Sequence, residues 1–387
     1  MKAKSMFLAW NVLPSPTLAP GSPNDDGPGL PMAAHGSNIS PERRIIRWMS
    51  VQRRFPFRRG RMTMVARLIL IVLIAALAMP GSSVRAAPER FVVSKGHQDG
   101  WDALVTTFGV RKGFFRDKGL EIEIVDIDTG APTLQAVVAG SVDIAVSVGL
   151  AGFMAAGMKG APVKMISANF TGASDFAWYV RADSPLRSFK DIGTETTVAY
   201  SSNGSSSQMI ALALLKQAGV TGKAVATGSS AATLTQVMTG QINVGYDGNG
   251  GMGVAEFQRG DVRIIATGGD LESFRDQTVR GIVVTEATFA ARRDQLARFL
   301  EAYQQTIDWM YRDAEALQWF ADRAKVSVAE AKRVVDQIYP ASALRLGPVR
   351  LLDQTIAQAI EFKRIPQAPT DEQIAKMFDN SLISPTN

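Results

Sequence analysis

The sequence of 387 residues lacks cysteine altogether and contains only two histidines. The absence of cysteine excludes disulfide bonds, thiolate metal sites, cysteine nucleophiles and a lipid-modified N-terminal cysteine. His97 is the one histidine beyond residue 87. We therefore expect no cofactor, no metal ion and no catalytic residue in the folded part of the chain.

Positive charge is also scarce beyond residue 87. The whole chain carries a formal net charge of +6, but residues 1–87 hold 12 of its 42 basic residues and only 3 of its 36 acidic ones. The remaining 30 basic and 33 acidic residues leave residues 88–387 near −3. Because a nucleic-acid-binding domain concentrates positive charge on its working surface, the sequence argues against a nucleic-acid partner.

The apolar run of residues 68–79 is too short to span a bilayer, which takes about 20 apolar residues. Arginines precede this run, and small residues that include Ala86 and Ala87 follow it. The order of basic, apolar and small residues predicts a secretory signal peptide over residues 62–87, cleaved near Ala86 or Ala87, and hence a periplasmic protein. A transmembrane anchor is the alternative, which the short run disfavours.

Residues 1–61 lie upstream of this signal and are rich in proline, glycine, serine and arginine without hydrophobic periodicity. Such a composition is typical of a disordered segment. A complete signal downstream of it also indicates a start-site error, with translation beginning at Met62 or Met64. The pair Arg53-Arg54 permits the alternative interpretation of a twin-arginine signal.

Residues 88–387 show strand and helix patterns in alternation. Strand patterns at residues 91–94, 121–125, 144–148 and 163–168 form a first series, in which helical spacing separates the strands. The pattern restarts at residues 197–200 and becomes helical after residue 284. Strands that alternate with helices predict an α/β fold with a mainly parallel sheet.

An internal similarity links the two series. The segment TLQAVVAGSVDIAV that begins at Thr133 is similar to TLTQVMTGQINVGY, which begins at Thr233. The identities fall at equivalent places in the two series, which indicates two similar lobes. Chance is the alternative, because the window is short and rich in small residues.

We expect a first lobe over residues 88–180 and a second lobe over residues 181–280. Residues 281–387 are expected to return to the first lobe and to pack helices on it. The extended patterns at residues 177–181 and 281–284 are interpreted as segments that cross between the lobes. Two lobes joined in this way can close on a ligand by hinge motion.

Four segments carry a resemblance to a known family. They are GVRKGFFRDKGLEIEIV from Gly109, LQAVVAGSVDIAVSVG from Leu134, SFKDIGTETTVAYSSNGSSSQMIALALLKQAGV from Ser188 and GQINVGYDGNGG from Gly240. In this order they resemble the periplasmic substrate-binding proteins of ABC transporters for nitrate, sulfonates, taurine and thiamine-pyrimidine precursors. The resemblance covers about residues 90–380.

The resemblance implies the two-lobed type II periplasmic-binding-protein fold, with two crossing segments and C-terminal helices on the first lobe. It also implies a soluble, monomeric mature protein that binds a small molecule and delivers it to an ABC transporter permease. Asn243 stands where the family commonly has an acidic residue, and glycines between residues 247 and 253 replace a more usual proline. These departures bear on the ligand more than on the fold.

Loops at the carboxyl ends of strands are where open α/β sheets bind ligands. The clearest of these loops is residues 202–206, because glycine allows close approach and the following helix N-terminus presents free N–H groups and partial positive charge. Such a loop suits a sulfonate, carboxylate or phosphate. An ordinary serine-rich N-cap is the alternative. The residues expected to bind the ligand are Gly96, His97, Trp101, Ser147, Val148, Asn203, Gly204, Ser205, Ser206, Asp247 and Asn249.

Several of these residues keep a second interpretation. His97 either contacts the ligand or makes a surface hydrogen bond, and Trp101 either lines the pocket or begins the buried face of its helix. Asp247 either binds an amine or caps a turn. Arg181 and Arg280 either neutralise an acidic ligand or pair on the surface.

The sequence also permits rival functions. Aromatic residues near the expected loops leave an aromatic or pyrimidine ligand as an alternative to a small organic anion. A periplasmic sensor that docks on a receptor would share the fold. The related thiamine-pyrimidine synthases resemble this chain but depend on cysteine-rich and histidine-bearing motifs that it lacks, so we expect binding rather than catalysis.

Overall fold

The computed structural model describes residue 64 and residues 88–97, 99–127, 129–249 and 255–383. The chain separates into two compact units, Met1–Gly81 and Ser82–Asn387. The predicted upstream segment and signal peptide lie outside the described residues, apart from Met64. All the elements below belong to the second unit.

The described residues contain ten β-strands. They are β1 (Glu89–Lys95), β2 (Leu120–Asp126), β3 (Ile144–Gly149), β4 (Val163–Thr171), β5 (Ala177–Arg181), β6 (Thr197–Tyr200), β7 (Lys223–Ala226), β8 (Gly245–Asp247), β9 (Val262–Thr267) and β10 (Thr278–Thr285).

Thirteen α-helices accompany these strands in the same described ranges. They are α1 (Val105–Lys112), α2 (Phe114–Asp117), α3 (Gly130–Val138), α4 (Leu150–Met158), α5 (Ser206–Ala218), α6 (Ser230–Met238), α7 (Ala255–Arg259), α8 (Glu286–Ala291), α9 (Arg293–Arg312), α10 (Ala314–Ala324), α11 (Val328–Ile338), α12 (Leu352–Glu361) and α13 (Asp371–Met377). The fold is α/β, as predicted.

The strands form two sheets of the same topology. The first has the order β2-β1-β3-β10-β4, with β10 antiparallel to its neighbours β3 and β4. In the second, β5 lies antiparallel between β8 and β9, and β6 joins β8 through a parallel bridge between Val198 and Val244. Strand β7 pairs with β6 in parallel. The second order is therefore β7-β6-β8-β5-β9, which repeats the first strand for strand.

The chain crosses twice between the sheets, because β5 follows the first series but belongs to the second sheet, and β10 does the reverse. Residues 177–181 and 281–284, which the sequence suggested as the crossing segments, are instead strand β5 and part of strand β10. The crossings are residues 172–176 and 268–277, immediately before these strands. The sequence correctly predicted extended backbone at both places, but the backbone N–H and C=O groups of these residues pair within a sheet.

Burial follows the place of each strand in the first sheet. Every residue of β3 is buried, because a strand inside a sheet that helices cover on both faces has no exposed side. Strand β2, at the edge, alternates more exposed and less exposed residues. The apolar run of β3 and the alternation of β2 were both visible in the sequence.

The C-terminal helices pack on the half that contains the first sheet. Helix α9 contacts α1 and α2, and helices α12 and α13 contact α4. The buried face of α9 includes Leu296, Phe299, Leu300, Tyr303, Ile307 and Met310. Across the described residues, no helix combines the length and the apolar character that crossing a bilayer requires.

Candidate functional site

A cavity of about 240 Å³ lies between the two sheets, where the carboxyl ends of β1, β3, β6 and β8 meet. The half with the first sheet contributes Gly96, His97, Asp99, Gly130, Ser147, Gly149 and Arg280. The half with the second sheet contributes Ser201, Ser205, Ser206, Ser207, Ser229, Ser230, Ala231, Tyr246, Gly248 and Asn249. Phe176, from the first crossing, completes the lining.

The N-termini of four helices reach this cavity. Helix α3 begins at Gly130, and Gly149, Ser205 and Ser229 are the N-caps of α4, α5 and α6. Each helix N-terminus is equivalent to roughly half a positive charge. Together they supply up to roughly two positive charges to the cavity wall without any cationic side chain.

The hydroxyls of both serine N-caps accept hydrogen bonds from the helices that they cap. Ser205 Oγ accepts a hydrogen bond from Gln208 N at 3.2 Å, and Ser229 Oγ accepts one from Ala232 N at 3.2 Å. The backbone N–H groups of the first two residues of each helix have no acceptor among the described residues. These residues are Ser206 and Ser207 in α5 and Ser230 and Ala231 in α6. These backbone donors are the groups that a bound anion can occupy.

The serine hydroxyls mainly hold the loop in shape. Ser207 Oγ accepts a hydrogen bond from Ser201 N at 2.9 Å. Ser206 Oγ donates one to the carbonyl of Val279 on β10 at 2.9 Å, which ties the loop to the other sheet. The backbone N–H groups of the helix N-terminus, which the sequence had already indicated, remain available to a ligand.

Glycines allow the two halves to approach closely beside the cavity. The N–H of Gly152 in α4 donates to the carbonyl of Gly204 at 3.1 Å. A Cβ atom on Gly152 would lie 2.7 Å from that oxygen, and one on Gly149 would lie 2.9 Å from Ser206 N. Larger side chains at these positions would force the halves apart.

Ser147 has a left-handed backbone conformation, with φ at 63°. Non-glycine residues in this region are strained by about 1–3 kcal/mol and collect at functional sites. Its Oγ accepts a hydrogen bond from Asn169 Nδ2 at 3.1 Å, and its carbonyl lies 2.9 Å from where a Cβ on Gly96 would be. The surrounding contacts therefore hold Ser147 in place.

Three buried charged side chains and the partly exposed His97 form a cluster beside the cavity. Arg280 Nη2 lies 2.7 Å from Asp175 Oδ2 and 3.5 Å from Asp102 Oδ2. His97 Nε2 lies 2.9 Å from the same oxygen of Asp102. Both carboxylates are completely buried, and the Arg280 side chain is only 4% exposed.

Burial and charge act differently on the two carboxyl groups. Burial raises the pKa of Asp175 to about 6, because desolvation and the nearby Asp102 outweigh the attraction of Arg280. Burial also disfavours the charge of Asp102, but His97 and Arg280 outweigh it and lower the pKa of Asp102 to about 2. Burial likewise opposes the charge of Arg280, yet the two carboxylates raise the pKa of its guanidinium.

Six of the eleven residues expected to bind the ligand line the cavity: Gly96, His97, Ser147, Ser205, Ser206 and Asn249. They come from four different loops along the chain. The buried Oδ1 of Asn249 has no hydrogen-bond partner among the described residues.

The other five expected residues lie elsewhere. Trp101 is buried among Phe108, Tyr311 and Phe320 in the core, and Val148 is buried under the helices of its sheet. Asn203 is exposed and accepts hydrogen bonds from its neighbours Tyr200 and Gln208. Gly204 contacts Gly152, and Asp247 borders a separate cavity, where it accepts a hydrogen bond from Asn249 N.

The two arginines separate clearly. Arg181 is partly exposed and pairs with Asp183, away from the main cavity. Arg280 lines the cavity from below. The sequence could not tell them apart, because both lie in or next to the extended segments that it suggested as crossings.

Ser229 and Ser230 line the cavity but were missed by the sequence reasoning. Their signal was present, since they form a serine pair before a helix, as Ser205 and Ser206 do. The internal similarity pointed to the same place, because Gly130 before Thr133 corresponds to Ser230 before Thr233. Tyr246 is one of the aromatic residues that left an aromatic ligand open, whereas Phe176 gave no local signal.

No group of three or more histidine, cysteine, aspartate or glutamate side chains suited to a metal ion occurs among the residues that the structure describes.

Residues 106–316, more than half of the chain, match the family described as NMT1/THI5 like. No curated protein sequence matches the chain.

Solved structures share the fold at low sequence identity. The alkanesulfonate-binding protein SsuA from Xanthomonas axonopodis pv. citri, bound to MOPS, is 17% identical with a TM-score of 0.62, over 76% of this chain and 99% of that one. The aliphatic sulphonate binding protein SsuA from Escherichia coli is 18% identical with a TM-score of 0.58, over 78% and 95%. The nitrate-binding protein NrtA from Synechocystis PCC 6803 is 15% identical with a TM-score of 0.59, over 76% and 86%.

Proposed function

The chain belongs to the NMT1/THI5-like family, and from that premise we propose that it is an extracytoplasmic solute-binding protein. It binds a small, sulfonate-like organic anion reversibly in the cavity between its sheets and delivers it to the permease of an ABC transporter. No covalent step takes part. Export by the signal peptide over residues 62–87 belongs to the same proposal.

The observation that carries the proposal is the convergence of four helix N-termini on one cavity. Backbone N–H groups with no acceptor are costly to bury, and an anionic oxygen satisfies both their hydrogen bonds and their dipoles. A neutral ligand could accept hydrogen bonds from these N–H groups, but it would gain little from the positive potential of the helix N-termini. The arrangement therefore favours an anion over a neutral compound.

The size and walls of the cavity narrow the ligand further. A volume of about 240 Å³ is below the range of about 300–1,000 Å³ that is usual for drug-sized ligands. Phe176 and Tyr246 line one part of the wall and present apolar surface. These features suit an anionic head with a short apolar part.

The solved proteins with this fold provide independent support. Two of them are described as binding sulfonates and one as binding nitrate, and the sulfonate group and nitrate are each singly negative in water. We extend to this chain the class of ligand, a small monoanion held between two halves, and the delivery to a permease.

A thermal-shift screen tests the proposal with aliphatic sulfonates, nitrate, aromatic carboxylic acids and neutral pyrimidines. A ligand at one hundred times its dissociation constant stabilises the folded state by about 2.7 kcal/mol, which is easily measured. We expect stabilisation by at least one small organic anion and none by the neutral pyrimidines. Stabilisation by neutral pyrimidines alone would contradict the proposal.

Delivery to a permease requires a second experiment. The purified protein, loaded with the anion found in the screen, is added to vesicles that contain a candidate ABC permease and its ATPase. We expect ATP-dependent uptake of the anion that depends on the added protein. Binding of the loaded protein to a receptor kinase, without uptake, would point to sensing instead.

A further inference from the structure

Arg280 faces the cavity although its side chain is only 4% exposed. It lies at the start of β10, just after the second crossing, and Asp175 lies in the first crossing. Their ion pair therefore joins the first crossing to the start of β10, beside the ligand cavity. A charge removed from water to this extent is strongly unfavourable unless other groups compensate it.

The pairing of Arg280 is incomplete for a purely structural ion pair. A guanidinium has five N–H donors in a fixed plane. Nη2 approaches Asp175 at 2.7 Å, but as an ion pair rather than a well-directed hydrogen bond, and Nε has no hydrogen-bond partner among the described residues. A structural arginine at this depth would have its donors satisfied.

Two aromatic rings fix the orientation of the guanidinium. The centroid of Phe170 lies 4.2 Å and that of Phe176 lies 5.2 Å from Arg280 Cζ. Phe176 also lines the cavity. Rings at these distances stabilise the cation and hold its plane, so its donors are positioned before any ligand arrives.

The charges around the cavity indicate how much negative charge the site accepts. Arg280 contributes one positive charge, Asp102 and Asp175 contribute two negative charges when both are ionised, and four helix N-termini contribute up to roughly two positive charges. Asp99 also lines the cavity but pairs with Arg323, so the charges named above sum to roughly one positive charge. One monoanion balances it, whereas a dianion leaves an uncompensated charge.

We infer that, within the proposed function, Arg280 bears the anionic group of the ligand, and that Asp175, acting through Arg280, restricts the site to singly charged anions. Asp175 is thus a positioning residue that does not contact the ligand. Its negative charge reduces the field that Arg280 presents to the cavity.

Protonation of Asp175 makes anion binding depend on pH. The titratable groups that face Arg280 and Asp175 are Asp102 and His97 after β1, Tyr303 on α9 and Tyr339 after α11. Burial raises the pKa of both tyrosines, so they stay neutral. Burial also raises the pKa of Asp175 to about 6, so falling pH neutralises it and frees the charge of Arg280 for the anion.

The experiment measures affinity by calorimetry at about pH 5.5 and about pH 8, with ethanesulfonate as the monoanion and sulfate as a dianion of similar shape. We expect ethanesulfonate to bind about tenfold more tightly at the lower pH. We expect sulfate to bind at least about tenfold more weakly than ethanesulfonate at the higher pH.

The variants separate the roles of the two residues. Asp175→Asn keeps the charge of Arg280 and removes the titration, so its affinity is expected to be high at both pH values. The double variant Arg280→Gln, Asp175→Asn replaces both members of the ion pair, so that neither charge is left unpaired. It is expected to bind ethanesulfonate about 10- to 100-fold more weakly at both pH values. Arg181→Gln is the matched control, because Arg181 pairs with Asp183 outside the cavity, and its affinity is expected to equal that of the wild type.

Three outcomes would overturn the inference. If the double variant melts cooperatively and binds ethanesulfonate as tightly as the wild type does, Arg280 does not bind the anion. The proposed function would still stand. If the pH dependence of binding persists in Asp175→Asn but vanishes in His97→Gln, Asp175 is not the residue that causes it. If the wild type binds no anion of the screen, the proposed function fails and this inference fails with it.

Discussion

The N–H of Gly152 donates a hydrogen bond to the carbonyl of Gly204 at 3.1 Å, and this contact joins a helix of the first half to the serine loop of the second. Because a Cβ on Gly152 would lie 2.7 Å from that oxygen, the contact exists only with glycine. The structure therefore shows the two halves closed against each other on this side of the cavity.

Gly152→Ala is expected to weaken anion binding by about tenfold, since the closed arrangement loses this contact. At the same time alanine favours a helix by about 1 kcal/mol over glycine, so the free energy of unfolding should not fall with the affinity. Calorimetric titration and urea denaturation measure the two effects.

Gly193→Ala is the control for this substitution, because a Cβ there meets nothing closer than Thr196 Oγ1 at 3.9 Å. Equal affinity losses in the two variants would show that closure does not depend on Gly152.

Ser205→Ala is expected to weaken binding and to lower the free energy of unfolding by about 1 kcal/mol. Its Oγ caps α5 by accepting from Gln208 N, and the loss of a serine N-cap costs about this much. The binding loss follows because the N–H groups of the same helix turn lose their fixed direction. Titration with the anion from the screen measures it.

Ser327→Ala provides the matched control, since Ser327 caps α11 in the same way by accepting from Glu330 N. It should show a similar loss of stability and no loss of affinity. If Ser205→Ala loses stability but keeps its affinity, the first turn of α5 does not hold the ligand.

Ser147→Val is expected to lower the free energy of unfolding by about 2–3 kcal/mol, whereas Ser147→Gly should leave it unchanged or raise it. The φ of 63° at this position strains a β-branched residue most and glycine least. Urea denaturation of both variants tests this difference. A Ser147→Val variant as stable as the wild type would show that the backbone relaxes here.

The stability of the unliganded protein is expected to depend on Asp175 between about pH 4 and about pH 6. Its pKa of about 6 in the folded state exceeds the ordinary value of 3.8, so the folded state holds the proton more tightly than the unfolded chain. This contribution to stability is complete below about pH 4 and is lost as the pH rises through about 6. The loss is at most about 3 kcal/mol.

Asp175→Asn removes this titration. As the pH rises, the free energy of unfolding should therefore fall in the wild type relative to the variant. Asp102, whose pKa is lowered to about 2, acts in the opposite direction: its contribution is present above about pH 4 and lost as the pH falls through about 2. A difference that stays constant from about pH 4 to about pH 7 would contradict the assignment to Asp175.

Much of the fold could be predicted because its signals are local. The buried strand β3 is an apolar run and the edge strand β2 alternates, since each pattern records how many faces of the strand meet the core. Glycine at Gly219 ends α5 in the left-handed conformation that a helix C-terminus favours. The two strand and helix series also indicated two related halves, which the matching strand orders of the two sheets then established.

The candidate site was only partly predictable. The serine loop before α5 carries a local signal, and four of the expected loops do reach the cavity. Trp101 illustrates the limit, because one aromatic residue at the start of a helix suits a pocket and a core equally well. Its neighbours Phe108, Tyr311 and Phe320 decide the matter, and two of these are about two hundred residues away in the chain.

The sequence by itself determined the alternation of strands and helices, the two related halves and the serine-rich helix start, because each depends on residues close together in the chain. Only the tertiary structure decided which helix N-termini share a cavity, and that Arg280 rather than Arg181 lies beneath it. The pairing of Arg280 with Asp175 joins β10 to the first crossing, about one hundred residues earlier in the chain. Burial and electrostatic coupling depend on distances in space, and no local pattern encodes them.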